Sequence, residues 1–229
     1  MTPRELLGKA TVPGGEELSL FRRGDDFMIV LGRNELMNSR MSGSEEALAT
    51  MTLARLTGRK GLHLLVGGYG MGFTLRAALA ALPADGRVTV AEIVPEIIAW
   101  ARGPMAGLTG ACFDDGRVTL VEEDVASLIG QASRSIDAIL LDVDNGPDGL
   151  SRPANDRLYS DRGLASAMTA LKPGGILAIW SAGPDDRFTR RLGQAGFAVE
   201  LAAVRARSNG RGPRHVIWFA RAPFDQRAT

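Results

Sequence analysis

Cysteine, histidine, aromatic residues and net charge are all scarce in this chain, and each scarcity removes a class of function. One cysteine, Cys112, among 229 residues permits no intramolecular disulfide and no cysteine-built zinc site. The two histidines, His63 and His215, argue against a histidine metal cluster, so no metal is expected. Lys and Arg number 27 against 26 Asp and Glu, a net charge of +1, which makes no global case for nucleic acid or a membrane as partner. Arg205, Arg207, Arg211 and Arg214 cluster late in the chain without an aromatic platform, and a solvated turn explains them better than RNA binding. No apolar run approaches membrane-spanning length and the N-terminus carries no apolar secretory core, so a cytoplasmic location is the default expectation. What remains, 45% hydrophobic and 23% charged, is the balance of a globular protein with one α/β unit and a small appendage.

The stretch from Leu62 to Phe73 is where the chain concentrates its information. Leu62, Leu65 and Val66 read as a strand; Gly67, Gly68, Tyr69, Gly70, Met71 and Gly72 as a glycine turn; Leu75, Leu79 and Leu82 as one face of a helix. Glycines in such a turn accept positive φ and leave no Cβ between the main chain and a ligand. The helix that follows aims free N–H groups at the same place. The spacing is not the dinucleotide fingerprint: counted from Gly68, Phe73 stands at the last glycine position. It is the looser pattern of nucleoside-binding folds, with a bare structural turn as the alternative. Tyr69 has little structural reason to sit in a glycine turn and is expected to close over the ligand.

Residues 1–41 read as a small N-terminal β element, with strands at 17–22 and 27–31 forming a hairpin about Arg23, Gly24, Asp25 and Asp26. A helix over 45–56 follows, with Ser42 and Glu45 at capping-box spacing, an apolar stripe of Leu48, Met51, Leu53 and Leu56, and Gly58 as its stop. From residue 42 to 229 strands and helices alternate, which predicts an α/β, doubly wound, mainly parallel seven-stranded sheet. The last two strands, 197–205 and 215–221, are joined by too few residues for a crossover helix and must pair antiparallel. A parallel sheet ending in an antiparallel hairpin is the class I methyltransferase pattern, a Rossmann-like fold distinct from that of nicotinamide dehydrogenases.

In an open α/β sheet the ligand lies beyond the carboxyl ends of the strands. The second strand ends at Glu92, followed by Ile93; the third at Asp124, followed by Val125; the fourth at Asp142, followed shortly by Asp144. Glu92 suits the two ribose hydroxyls of an adenosine. Asp124 suits the adenine amine, with the Val125 N–H on a ring nitrogen, while Asp142 and Asp144 would face the reacting centre. For each acid a helix N-cap is the alternative. Trp180 ends a strand and is a candidate wall of the site, whereas His63 reads as structural.

Together the glycine turn, Val90-Ala91-Glu92-Ile93, the acids at Asp124 and Asp142, Leu158-Tyr159-Ser160 and Leu171-Lys172-Pro173-Gly174-Gly175 resemble the spermidine synthase-like proteins over roughly residues 15–221. The resemblance implies Glu92 on ribose, Asp124 on adenine, and S-adenosylmethionine or its decarboxylated form as co-substrate. It also implies a homodimer joined through the N-terminal element. The polyamine half departs from that family. Tyr69, Gly70 and Met71 stand where a donor-binding aspartate is expected in the turn. The run Asp142-Val143-Asp144-Asn145-Gly146 puts an amide, Asn145, at the base, with Asp144 one residue away. The family's Tyr-His/Gln-Glu signature is absent from residues 45–51. A sulfonium donor is already activated, so methyl transfer to a small acceptor asks less of the protein. The leading expectation is therefore a methyltransferase. The alternatives are an aminopropyltransferase (spermidine synthase) and a non-catalytic regulatory or oligomerisation module on the same fold.

Overall fold

A computed structural model of the chain describes residues 3–143 and 156–225. The N-terminal part is a four-stranded antiparallel sheet of β1 (Glu5–Thr11), β2 (Glu17–Arg23), β3 (Asp26–Leu31) and β4 (Asn34–Asn38), in that order. The expected hairpin is its centre, β2 and β3, closed by a two-residue turn at Gly24 and Asp25 because Arg23 pairs with Asp26. The outer strands had no clean alternation to announce them. β1 carries a register shift between Leu6 and Gly8, and Gly8 exists for contact: a Cβ there would lie 2.4 Å from the Trp100 indole nitrogen.

Helix α1 (Gly43–Ala54) starts earlier than its apolar stripe suggested and stops well before Gly58, which lies in the following turn with φ +87°. The capping box does not form. Ser42 sits in helical conformation with no side-chain cap bond, and Glu45 faces inward on the same stripe as Leu48, Ala49 and Thr52. Then follow β5 (His63–Gly67), α2 (Phe73–Ala81), β6 (Arg87–Ala91), α3 (Pro95–Arg102), α4 (Ala106–Thr109), β7 (Val118–Val121), α5 (Val125–Gln131) and β8 (Ile136–Leu141). After the segment that is not described come α6 (Asp156–Tyr159), α7 (Asp161–Ala170), β9 (Leu171–Ser181), α8 (Asp186–Gln194), β10 (Ala198–Arg205) and β11 (Arg214–Arg221).

The second sheet has seven strands in the order β10-β11-β9-β8-β5-β6-β7, parallel except where β11 runs antiparallel to both β9 and β10. The fold class and the terminal hairpin are as the pattern required. Two-residue periodicity sorts the sheet's side chains into two cores. Leu64, Val66, Val90, Ala138, Leu140 and Phe219 pack under α1 to α3 and the N-terminal sheet, while Leu65, Ile139, Leu141, Ile179 and Trp218 pack against α5, α7 and α8. At the amino end of the sheet the buried Asp137 carboxylate accepts from Lys172 Nζ (2.6 Å), Arg59 (3.1 Å) and the His63 backbone N–H (2.9 Å), which ties β5, β8 and β9 together. His63 is structural, as expected: its ring meets Ser135 O and Thr89 Oγ1. Among the described residues no helix is long and apolar enough to cross a membrane.

The register of β5 places the site. Gly67 is level with Ala91 on one side and Leu141 on the other, so the next residues, Gly68, Glu92 and Asp142, leave the sheet side by side. Strand order reverses about β5, the place where an open α/β sheet holds its ligand. Leu140 is fully buried at the middle of this arrangement. Leu140→Ala is expected to lower unfolding stability by about 2–5 kcal/mol in a urea titration, a loss below about 0.5 kcal/mol contradicting the central place of β8 in the core.

Candidate active site

At the carboxyl ends of β5, β6 and β8 lies a cavity of about 330 Å³. Its base is the glycine turn. Gly68 has φ +82°, and a Cβ on it would sit 2.9 Å from the Asp142 carbonyl, so only glycine brings the main chain this close to the neighbouring strand. Gly72, φ +78°, begins α2, and a Cβ there would collide with the Tyr69 hydroxyl at 2.5 Å. Gly67 is the last residue of β5 and lies against Val125 and Leu141. Of the turn residues Gly68 and Gly70 line the cavity; Gly67, Tyr69 and Met71 support it from behind.

The placement of Tyr69 corrects the expectation that it closes over a ligand. Its side chain is turned into the core and 4% exposed, its hydroxyl lies 2.8 Å from Thr109 Oγ1, and its ring stacks on Phe113 at 4.8 Å. The tyrosine has a structural use after all: it props the turn from beneath. Its backbone N–H points the other way and donates to Glu92 Oε2 (2.9 Å), while the Val94 N–H donates to Glu92 Oε1 (2.9 Å). Glu92 is buried, and burial raises its pKa against the lowering effect of these amides. Ile93 and Val125 complete that side of the cavity. Asp124 serves as the N-cap of α5, accepting from the Ala126 N–H (2.8 Å), and also faces the cavity, with Arg157 3.1 Å from its second oxygen. The capping and cavity-lining readings of Asp124 hold together.

Asp142 forms the middle of the acidic wall. Thr74 Oγ1, in the first turn of α2, lies 3.2 Å from Asp142 Oδ2 and 3.4 Å from the Glu45 carbonyl, which brings α1 onto the end of β8. Glu45 lines the cavity and is 6% exposed; Ser44 Oγ donates to its Oε2 (3.1 Å), and Ser44 is in turn 2.9 Å from His215 Nδ1 on β11. Burial, with the Asp142 charge added, pushes Glu45 up to about 8, and burial pushes Asp142 up to about 6. Trp180 does wall the site, its ring 4.7 Å from that of His215 in an edge-on contact. The roof is apolar and comes from the N-terminal sheet, through Leu18, Ile29, Leu31 and Met37. Asp144, Asn145 and Gly146 lie outside the described residues.

The structure thus brings Gly68, Gly70, Glu92, Ile93, Asp124, Val125 and Asp142 to one cavity. Glu45, Ser44, His215 and the apolar roof join this site without any motif in the sequence that marks them as part of it. Glu45 carried a signal: a carboxylate on the buried stripe of its own helix is costly and wants a reason.

A seven-stranded sheet with β11 antiparallel, and a glycine turn facing acids on adjacent strand ends, defines the class I methyltransferase-like fold. A family model described as the spermine/spermidine synthase domain matches residues 41–184, and the chain belongs to that family. The polyamine aminopropyltransferase of Mycobacterium tuberculosis (strain CDC 1551 / Oshkosh) is 28% identical over 194 residues, 80% of this chain but 35% of that protein. That of Corynebacterium efficiens is 33% identical over 124 residues, 52% of this chain and 22% of its own. The chain therefore spans about a third of the length of the first of these curated relatives, and less of the second. A spermidine synthase from Thermotoga maritima superimposes with a TM-score of 0.76 at 17% identity, over 96% of this chain and 74% of that one. A spermidine synthase in complex with the transition state analogue AdoDATO gives 0.75 at 17% identity, over 96% and 73%. These two share the fold. The expectation of methyl transfer finds no support, because the matching relatives are named for aminopropyl transfer.

The acid pair has a consequence for stability. Raised carboxyl pKa values mean that the folded chain binds protons more tightly than the unfolded one. The contribution is complete near pH 4 and is lost as pH climbs through about 6 and about 8. The melting temperature of the unmodified protein is expected to fall relative to that of Glu45→Gln between about pH 5 and about pH 8. Parallel curves for the two proteins would mean that Glu45 is not buried against Asp142.

Proposed function

We propose that this chain transfers an aminopropyl group from decarboxylated S-adenosylmethionine to an amine acceptor, releasing methylthioadenosine. The observation that carries the reading is the family match over residues 41–184, which includes every element of the acidic cavity wall from α1 to the end of β9. Gly68 and Gly70 allow the donor's close approach, Glu92 accepts from the ribose hydroxyls, Asp124 accepts from the adenine amine, and the Val125 N–H and Ile93 frame the base. Asp142 faces the donor's reacting end, and Asp144 belongs with it by its place in the sequence. The acceptor nitrogen attacks the methylene carbon beside the sulfonium; the N–C bond forms as the C–S bond breaks, and the electron pair goes to sulfur.

Charge supports the decarboxylated donor over S-adenosylmethionine itself. Among the described residues lining the cavity, Arg157 is the one Lys or Arg side chain, and it is paired with Asp124. Glu45, Glu92 and Asp142 then offer a cation-selective lining. A donor that keeps its carboxylate would bring a negative charge against this wall, whereas the decarboxylated donor ends in an ammonium. Trp180 adds an aromatic face suited to an aliphatic amine.

The test is product formation. The purified chain is incubated with decarboxylated S-adenosylmethionine or S-adenosylmethionine, each with putrescine, cadaverine, spermidine or agmatine, and methylthioadenosine is measured by chromatography. Amine-dependent methylthioadenosine from the decarboxylated donor alone is the expected result. Release with neither donor, or a methylated amine from S-adenosylmethionine, would overturn the reading.

A further inference from the structure

An amine acceptor is an ammonium ion at neutral pH and has no lone pair with which to attack. A reaction at this site therefore needs a group that takes one proton from it before the N–C bond forms. Among the described residues Glu123 lines the cavity from an exposed position, and the other acids of the cavity differ in how far they are already committed. The two oxygens of Glu92 hold the backbone amides of Tyr69 and Val94, and those of Asp124 hold the Ala126 amide and Arg157. Both are bound into the donor side. Asp142 accepts from Thr74. Glu45 lines the cavity and is more fully buried than Asp142, and among the described residues the charged group it faces is that acid rather than a cation.

A buried carboxylate without a cation is an expensive arrangement unless a proton or a ligand cation completes it. The groups around Glu45 fit that purpose. Asp142 reaches it from the end of β8, with Thr74 of α2 touching both residues. Ser44 donates its one hydroxyl proton to Glu45, which leaves the His215 Nδ1–H on β11 as donor to Ser44. Glu46, next along α1, is drawn away by Arg76. Trp180 closes the same end of the cavity.

We propose that Glu45 is the general base of this site, taking the proton of the attacking amine, with Asp142 as its electrostatic partner and Ser44 and His215 as positioning residues. The proposal rests on the aminopropyl-transfer reading above. The step balances: the ammonium and the Glu45 carboxylate become a free amine and a carboxylic acid. The amine then attacks carbon, the C–S pair goes to sulfur, and the product nitrogen keeps the positive charge. One proton per turnover leaves from Glu45. Burial and the Asp142 charge raise Glu45 to about 8, so that its ionised form is a stronger proton acceptor than an ordinary carboxylate and becomes available as pH rises toward that value. That base comes from the first helix after the N-terminal sheet, not from the strand ends that hold the donor.

The experiment is a pH profile of methylthioadenosine release, from about pH 6 to about pH 10, using decarboxylated S-adenosylmethionine and the amine most active in the screen above. In Glu45→Gln, kcat should fall about 10²- to 10⁴-fold while methylthioadenosine binding changes less than about threefold, since the donor side is untouched. The limb of the unmodified protein that levels off near the Glu45 pKa of about 8 should be replaced by a residual rate that keeps climbing toward the amine's own, higher pKa. Glu45→Asp, which keeps a carboxylate, should recover part of the rate with a displaced limb, and His215→Gln should also move the limb. Those two variants decide the matter if Glu45→Gln does not fold. An unmodified protein that is active, with variants that keep its limb and stay within about threefold of its kcat, would overturn the base while leaving aminopropyl transfer in place. An unmodified protein that releases no methylthioadenosine would overturn both.

Discussion

The bonds from the backbone amides of Tyr69 and Val94 to the buried carboxylate of Glu92 are the interaction on which the rest of the site depends. They join the glycine turn after β5 to the chain leaving β6, and they fix the turn in a shape that its glycines alone would leave loose. A carboxylate holding two amides keeps lone pairs for a ligand while its own position is set by the backbone. The other constraints follow from it. Tyr69 can send its side chain down into the core because its N–H is committed upward, and Gly72 must lack a Cβ because the tyrosine hydroxyl lies where one would be.

Register converts this local device into a site. Because Gly67 is level with both Ala91 and Leu141, three neighbouring strands release Gly68, Glu92 and Asp142 together, and the cavity inherits their charges. A structure that gathers Glu45, Glu92, Asp124 and Asp142 about one space, with a single described arginine already spoken for, accumulates negative potential that has to be relieved by protons or by a cationic ligand. The N-terminal sheet supplies the opposite quality. Leu18, Ile29, Leu31 and Met37 cover the cavity with apolar surface, which excludes water and strengthens the charge interactions beneath. Family membership and the cavity's charge therefore both favour the proposed cationic donor over one that keeps a carboxylate.

Much of this was legible in the sequence, for physical reasons. The glycine turn, the acids at Glu92, Asp124 and Asp142, and the antiparallel pairing of β10 with β11 are set by local chain chemistry and connection length. Glu45 was hidden by a local pattern with a plausible meaning: Ser42 and Glu45 have capping-box spacing, yet Ser42 makes no cap bond and the glutamate turns into the cavity. Whether such a residue caps its helix or faces a pocket is decided by what packs on the helix, here the end of β8 and Thr74. The same holds for His215, which reaches Ser44 across 171 positions, and for Tyr69, whose direction depends on Thr109 and Phe113. β1 and β4 complete a sheet only because β2 and β3 offer them edges, and their own alternation is too broken to show it.

On the proposed reading the acidic cavity over the glycine turn is an adenosyl-donor site with a separate amine end. A crystal structure of the protein grown with methylthioadenosine tests it most directly. Ribose hydroxyls are expected within hydrogen-bond reach of Glu92 and adenine between Ile93 and Val125, with its amine toward Asp124. The sulfur should point toward Asp142, leaving the space beside Glu45 and Trp180 open. Methylthioadenosine bound elsewhere, or bound here with its sulfur turned away from Asp142, would contradict it.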